Sequence, residues 1–144
     1  MWADSLRLAE EIYLSQLLLW GMGSIIAGTI LLGVLILRGS RIPLLRHFAI
    51  QTAIWGMAET LLAALAWQRL ALRDHGDATR LTNTLWLSTG LDFGYIAVGV
   101  TLIGCGWMTG RRAGLMGAGT AIAVQGIALA TVRLHFLALL SAYS

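Results

Sequence analysis

From Ile12 to Leu37 the chain carries no charged residue, and three further stretches, Phe48 to Gln68, Leu81 to Met108 and Gly114 to Leu140, are almost as apolar. About 20 such residues wound into a helix match the hydrocarbon thickness of a bilayer. They also satisfy their own backbone hydrogen bonds where no water is at hand. The pattern therefore predicts an all-α four-helix transmembrane bundle with up-down topology, a single membrane domain over residues 1–144 with helices at about 12–37, 48–69, 84–108 and 114–140. Composition agrees: 58% of residues are hydrophobic, 12% are charged and mean hydropathy is +0.77, whereas soluble proteins average about 25% charged residues.

The net charge of +3 comes from arginine, because the chain has no lysine. Arg38, Arg41, Arg46, Arg111 and Arg112 fall in the first and third connections with no acidic residue beside them, whereas Arg7, Arg69, Arg73 and Arg80 are mixed with Asp4, Glu10, Glu11, Asp74 and Asp77 on the other side. The side richer in basic residues is usually cytoplasmic, so both termini are expected to face outward. Such a basic balance reads as membrane topology, and no nucleic-acid partner is expected. The first residues are acidic where a signal peptide would be basic, so the first span is expected to be retained. Trp2, Leu6, Ala9 and Tyr13 can share one face while Asp4, Arg7, Glu10 and Glu11 stay wet, either as a surface helix or as an extension of the first span. The lone Cys105 allows no internal disulfide.

Glu59, Asp92 and Arg133 interrupt the apolar runs. A charge in hydrocarbon costs several kcal/mol unless paired, hydrated or neutralised, which makes such residues functional candidates. At about 1.5 Å per residue, Asp92 and Arg133 each lie roughly 10 Å from the outward ends of their helices, and Glu59 about one turn deeper, level with Tyr95 and Ser24. Residues three or four apart stack on one helix face, so Gln51, Trp55 and Glu59 form one interior stripe, Gln125, Leu129 and Arg133 another, and Asp92 with Tyr95 a third. Arginine presents a planar fork suited to carboxylates, so Arg133 is expected to pair with Asp92, with Glu59 as competitor or third member. Two carboxylates against one guanidinium leave one negative charge in excess, which a proton on Glu59 would cancel.

Two repeats stand out. Gln16-x3-Trp20-Gly21-Met22 and Gln51-x3-Trp55-Gly56-Met57 suggest a duplicated helix, inverted in consecutive spans as in many carriers, or a coincidence of common membrane residues. Glycines recur in the first, third and fourth helices, where small residues let backbones approach within a bundle or between copies.

Other chemistry is thinly supported. His47 and His135 lie near opposite ends of the bundle, too far apart for bis-histidine haem, and His75, His135, Asp74 and Asp77 form no dense ligand motif. No metal or other cofactor is expected. Neither a Gly-x-Ser-x-Gly elbow, an HExxH pair nor a phosphate-binding glycine loop is present.

The run Gly90-Leu91-Asp92-Phe93-Gly94-Tyr95-Ile96-Ala97-x-Gly99, with Gln51-x3-Trp55-Gly56, Gly117-x-Gly119 and Gln125-Gly126, resembles a family of small, uncharacterised bacterial four-helix membrane proteins known as a domain of unknown function. The resemblance extends from about Leu14 to Leu140. It implies fold and location in the bacterial cytoplasmic membrane, not activity. The chain departs from the pattern of that family at Glu59 and Arg133, where Asn and Asp would stand.

The expected function is a ligand-, lipid- or partner-binding membrane module, or a subunit of a larger complex, using Glu59, Asp92, Arg133, Tyr95, Gln51, Trp55 and Gln125. Its expected partners are the lipid bilayer, a second copy or larger membrane complex, and a lipid or small molecule. A proton-coupled small-solute carrier is the alternative. An intramembrane enzyme using Glu59, Asp92 or Tyr95 as acid or base is third, and enzyme activity is not expected.

Overall fold

The protein is seen in a computed structural model that describes residues 2–70 and 75–141. Four helices make up the described chain: α1 (Trp2–Leu37), α2 (Pro43–Gln68), α3 (His75–Met108) and α4 (Ala113–Ser141). All four are long and apolar enough to cross a membrane, and the protein is a multi-pass membrane protein. At about 1.5 Å per residue, the 26 residues of α2 and the 29 of α4 reach roughly 39 and 43 Å, enough for a hydrocarbon core of about 30 Å.

Three helix starts differ from the sequence expectation. α1 begins at Trp2 rather than near residue 12, α3 at His75 rather than near 84, and α2 at Pro43 rather than 48. Hydropathy marks where a helix enters lipid, not where its hydrogen bonds begin, so polar turns of α1 and α3 were invisible to it. Pro43 starts α2 because its fixed φ suits the first helical position and its missing N–H is not needed there. Residues 2–12 are thus an extension of α1, with Leu6, Ala9 and Tyr13 buried; the side chain of Trp2 lies outside the described residues. Glu10, expected to be wet, is 4% exposed, on the face of α1 that packs toward α4, where Tyr13 one turn on stacks on Phe136.

The connections are tight. Gly39 ends α1 at φ +61°, with Gly39 N–H donating to Ile36 O (3.0 Å) and Ser40 N–H to Leu35 O (2.9 Å), the paired bonds of a left-handed glycine cap. Gly110 ends α3 at φ +74° and Arg111 follows at φ 54°, its guanidinium 5.1 Å over the Trp107 ring.

α1 packs along α2 and α3 along α4, forming two helical hairpins that meet where α2 crosses α4. Two of their glycine contacts correspond. A Cβ on Gly28 would lie 2.7 Å from Ala49 O and 2.8 Å from Ala53 N; one on Gly99 would lie 2.6 Å from Gly119 O and 2.7 Å from Ala123 N. Likewise Gly56 abuts Gly21 O and Ile25 N, and Gly126 abuts Asp92 O and Ile96 N. Each contact recurs 70 or 71 residues later, and so does the capping glycine, Gly39 and then Gly110. A geometric repeat therefore runs from hairpin to hairpin. The two Trp-Gly words of α1 and α2 meet across a single interface, where Gly21 abuts Gly56 O and Thr60 N while Gly56 abuts Gly21 O and Ile25 N, contacts that also correspond at a shift of 35 residues.

An exchange of the two hairpins maps α1 against α4 onto α3 against α2, and here the repeat breaks. α1 approaches α4 closely, with Tyr13 stacked on Phe136 (centroids 4.5 Å apart, 7° between planes). Among the described residues α3 makes no comparable backbone approach to α2, and side chains such as Trp55 and Tyr95 bridge the seam.

Candidate functional site

The open α2–α3 seam leads into a cleft of about 540 Å³. α1 lines it with Glu10, Tyr13, Leu14 and Leu17, α2 with Glu59, Leu62, Ala63 and Leu65, α3 with Leu81, Thr84, Leu85 and Ser88, and α4 with Arg133 alone. Arg69 and Arg80 stand at its mouth, just past the end of α2 and in the polar first turns of α3.

Arg133 organises the inner end. Its Nη1 donates to Asp92 Oδ1 and its Nη2 lies 3.7 Å from Glu59 Oε2, while the hydroxyl of Tyr13 faces the same guanidinium. Every helix thus contributes one member. Asp92 is 0% exposed, Glu59 4% and Arg133 9%. The periodicity of the sequence explains the convergence, because Gln125, Leu129 and Arg133 form a stripe buried throughout on α4, and Asp92 faces it across the α3–α4 interface, where Gly126 lets the two backbones come close. The trio sits where the two hairpins differ: by the same register, Gly21 stands in the first hairpin for Asp92 and Ala63 for Arg133.

Two carboxylates share one guanidinium, and two of the polar atoms involved, Asp92 Oδ2 and Arg133 Nε, have no hydrogen-bond partner among the described residues. A buried donor or acceptor left so costs about 1–3 kcal/mol unless something else satisfies it. The cluster therefore combines a fixed cation, an acid oriented by it and a second acid, Glu59, that reaches the cleft. Such a set can hold a polar group by charge and hydrogen bonds, or exchange a proton at Glu59. It contains no nucleophile with an adjacent base.

The remaining candidates divide. Gln125 accepts a hydrogen bond from Trp20 Nε1 (2.6 Å) and donates through Nε2 to Ser24 Oγ (3.1 Å), tying α4 to α1 one level deeper than the trio. Trp55 and Tyr95 make an edge-on contact, centroids 4.7 Å apart, across the seam. Gln51 is half-buried and takes no part in the charged cluster. His135 is exposed, and exposed His47 has its ring against Gly114. The side chain of His75 and all of Asp74 lie outside the described residues, and no metal-ligand group of three forms among those described.

Sequence reasoning missed Tyr13, Glu10, Arg69 and Arg80 as site residues. The spacing Leu6, Ala9, Glu10, Tyr13, Leu17 does place Glu10 on the buried face of α1. Arg69 and Arg80 carry no such signal, because only the third dimension places the end of α2 beside the start of α3.

Residues 16–133 match a family described as Family of unknown function (DUF6992), and the chain belongs to that family. The matched segment includes Glu59, Asp92 and Arg133 and leaves out Glu10 and Tyr13. No curated protein and no solved structure matches the chain.

Proposed function

Taking membership of this family as the premise, we propose that the protein is a membrane-embedded binding module for an amphiphile. The observation that carries this reading is the cleft: about 540 Å³, within the range of about 300–1,000 Å³ common for small-ligand sites, with apolar walls, a buried charged inner end and an open side between two lipid-facing helices. An amphiphile meets all three features without leaving the membrane. The basic connections Arg38–Arg46 and Arg111–Arg112 face the cytoplasm of a bacterial inner membrane, and both termini face outward. The cleft then opens toward the outer leaflet.

Native mass spectrometry from mild detergent tests the reading. The wild-type protein should retain one lipid-sized mass per chain, and Ser88→Trp, which places an indole in the cleft, should lose it while keeping the wild-type helical circular dichroism spectrum. Retention of the same mass by the filled variant, or none by the wild type, would overturn the reading.

Glu59 favours a second reading. It alone of the two acids lines the cleft, at 3.7 Å from Arg133 Nη2, so a proton on Glu59 could be exchanged for ligand in a proton-coupled carrier. Reconstituted vesicles should then show pH-driven flux that Glu59→Gln abolishes; flux unaffected by that substitution removes the carrier reading.

A further inference from the structure

We infer that the cleft selects an anionic glycerophospholipid, with Arg69 and Arg80 taking the phosphate; this rests on the amphiphile-binding reading and narrows its ligand class. Both guanidinium groups are exposed at the mouth of the cleft, one on each side of the open seam, and neither has a carboxylate partner among the described residues. The two arginines come from segments eleven residues apart that the short α2–α3 connection returns to one place, at the level where polar turns give way to apolar ones.

An unpaired arginine at the lipid–water boundary meets phosphate oxygens bidentately, and two guanidinium groups side by side repel the ammonium that a zwitterionic headgroup carries next to its phosphate. The charges inside the cleft argue for the same orientation. Glu10 and Glu59 line the deeper part and the Arg133 guanidinium there already faces two carboxylates, Asp92 and Glu59, so an anion is held at the mouth rather than in the interior. Hydroxyls or ester carbonyls fit below it, where Ser88 has no partner among the described residues and the Nε–H of the nine-tenths-buried Arg133 has no acceptor. The acyl chains leave through the seam beside exposed Leu62 and Leu65. A lipid standing in its normal leaflet register meets the arginines, the hydroxyl and the apolar exit in that order. A soluble phosphate would meet only the first.

Binding of phosphatidylglycerol, phosphatidylcholine and glycerol 3-phosphate to the detergent-solubilised full chain, followed by native mass spectrometry and by protection against melting, tests the inference. Wild type should favour phosphatidylglycerol over phosphatidylcholine by about 10- to 30-fold, as two interfacial arginines at about three- to fivefold each imply, and should not retain glycerol 3-phosphate. Arg69→Gln with Arg80→Gln should erase the preference by weakening phosphatidylglycerol far more than phosphatidylcholine. Since both side chains are exposed, the variant should fold, and an unchanged circular dichroism melt checks that it does. A preference that survives the double substitution, or equal binding of both lipids by wild type, overturns the headgroup inference and leaves amphiphile binding intact. Binding of neither lipid overturns both, and retention of glycerol 3-phosphate at the affinity of the lipid assigns the site to a soluble anion and overturns the lipid assignment.

Discussion

Replacing Arg133 by leucine removes the one cation facing Asp92, which is 0% exposed, and Glu59, which is 4% exposed. Breaking a buried ion pair by deleting one partner costs about 3–5 kcal/mol, because the other charge stays buried without compensation. The loss has a ceiling, since the stranded carboxyl can take a proton from water instead. For an ordinary aspartate at pH 7 that costs about 4 kcal/mol, and at pH 5 about 1.5 kcal/mol. Arg133→Leu should therefore lose about 4 kcal/mol at pH 7 and only about 1.5 kcal/mol at pH 5. The sign follows from proton uptake: the folded variant holds a proton that the unfolded chain releases, so its stability falls as pH rises. Adding Asp92→Asn removes the stranded charge and should return most of the pH 7 loss. Unfolding by SDS in mixed micelles, followed by tryptophan fluorescence at both pH values, measures each quantity. A loss under about 1 kcal/mol at pH 7, or one independent of pH, would refute the account of Arg133 as the counter-charge of a buried acid.

Further outcomes are expected elsewhere in the bundle. Gly99→Ala should destabilise by about 1–3 kcal/mol in a detergent melt, because its Cβ would sit 2.6 Å from Gly119 O, whereas Gly94→Ala, with nothing within 4 Å, should be neutral or slightly stabilising; equal effects would contradict the packing scheme. Gln125→Leu breaks the bonds to Trp20 and Ser24 and should cost about 1–2 kcal/mol at the usual strength of interhelical hydrogen bonds in lipid, and an unchanged melting temperature would show that the link contributes nothing. In a Cys105→Ala background, a membrane-impermeant maleimide should label Asn83→Cys but not Thr109→Cys in intact cells; the reverse pattern would invert the orientation assigned to the cleft.

Much of the architecture was legible in the letters because the bilayer is a one-dimensional filter. Four apolar runs of sufficient length dictate four helices, and short connections dictate that neighbours run in opposite directions. The interior stripe of Gln125, Leu129 and Arg133 was readable for a related reason: helical periodicity converts spacing into a shared face, and a charge in lipid must turn inward. The starts of α1 and α3 were not readable, because a polar helix leaving the membrane looks like a connection to any measure of hydropathy.

Tertiary structure decided what no single helix encodes. The repeated Trp-Gly words turned out to lie across one interface, while the hairpin repeat shows only in which backbone atoms each glycine touches. Glycine identity permits close approach without naming a partner. The cleft, too, exists because α1 leans on α4 whereas α3 stays away from α2, a difference in the placement of whole helices. Hydropathy is a property of a segment and its surroundings, so the chain carries it locally; the convergence of Arg69, Arg80, Glu59 and Arg133 on one opening depends on distances between helices, which only the packed bundle sets.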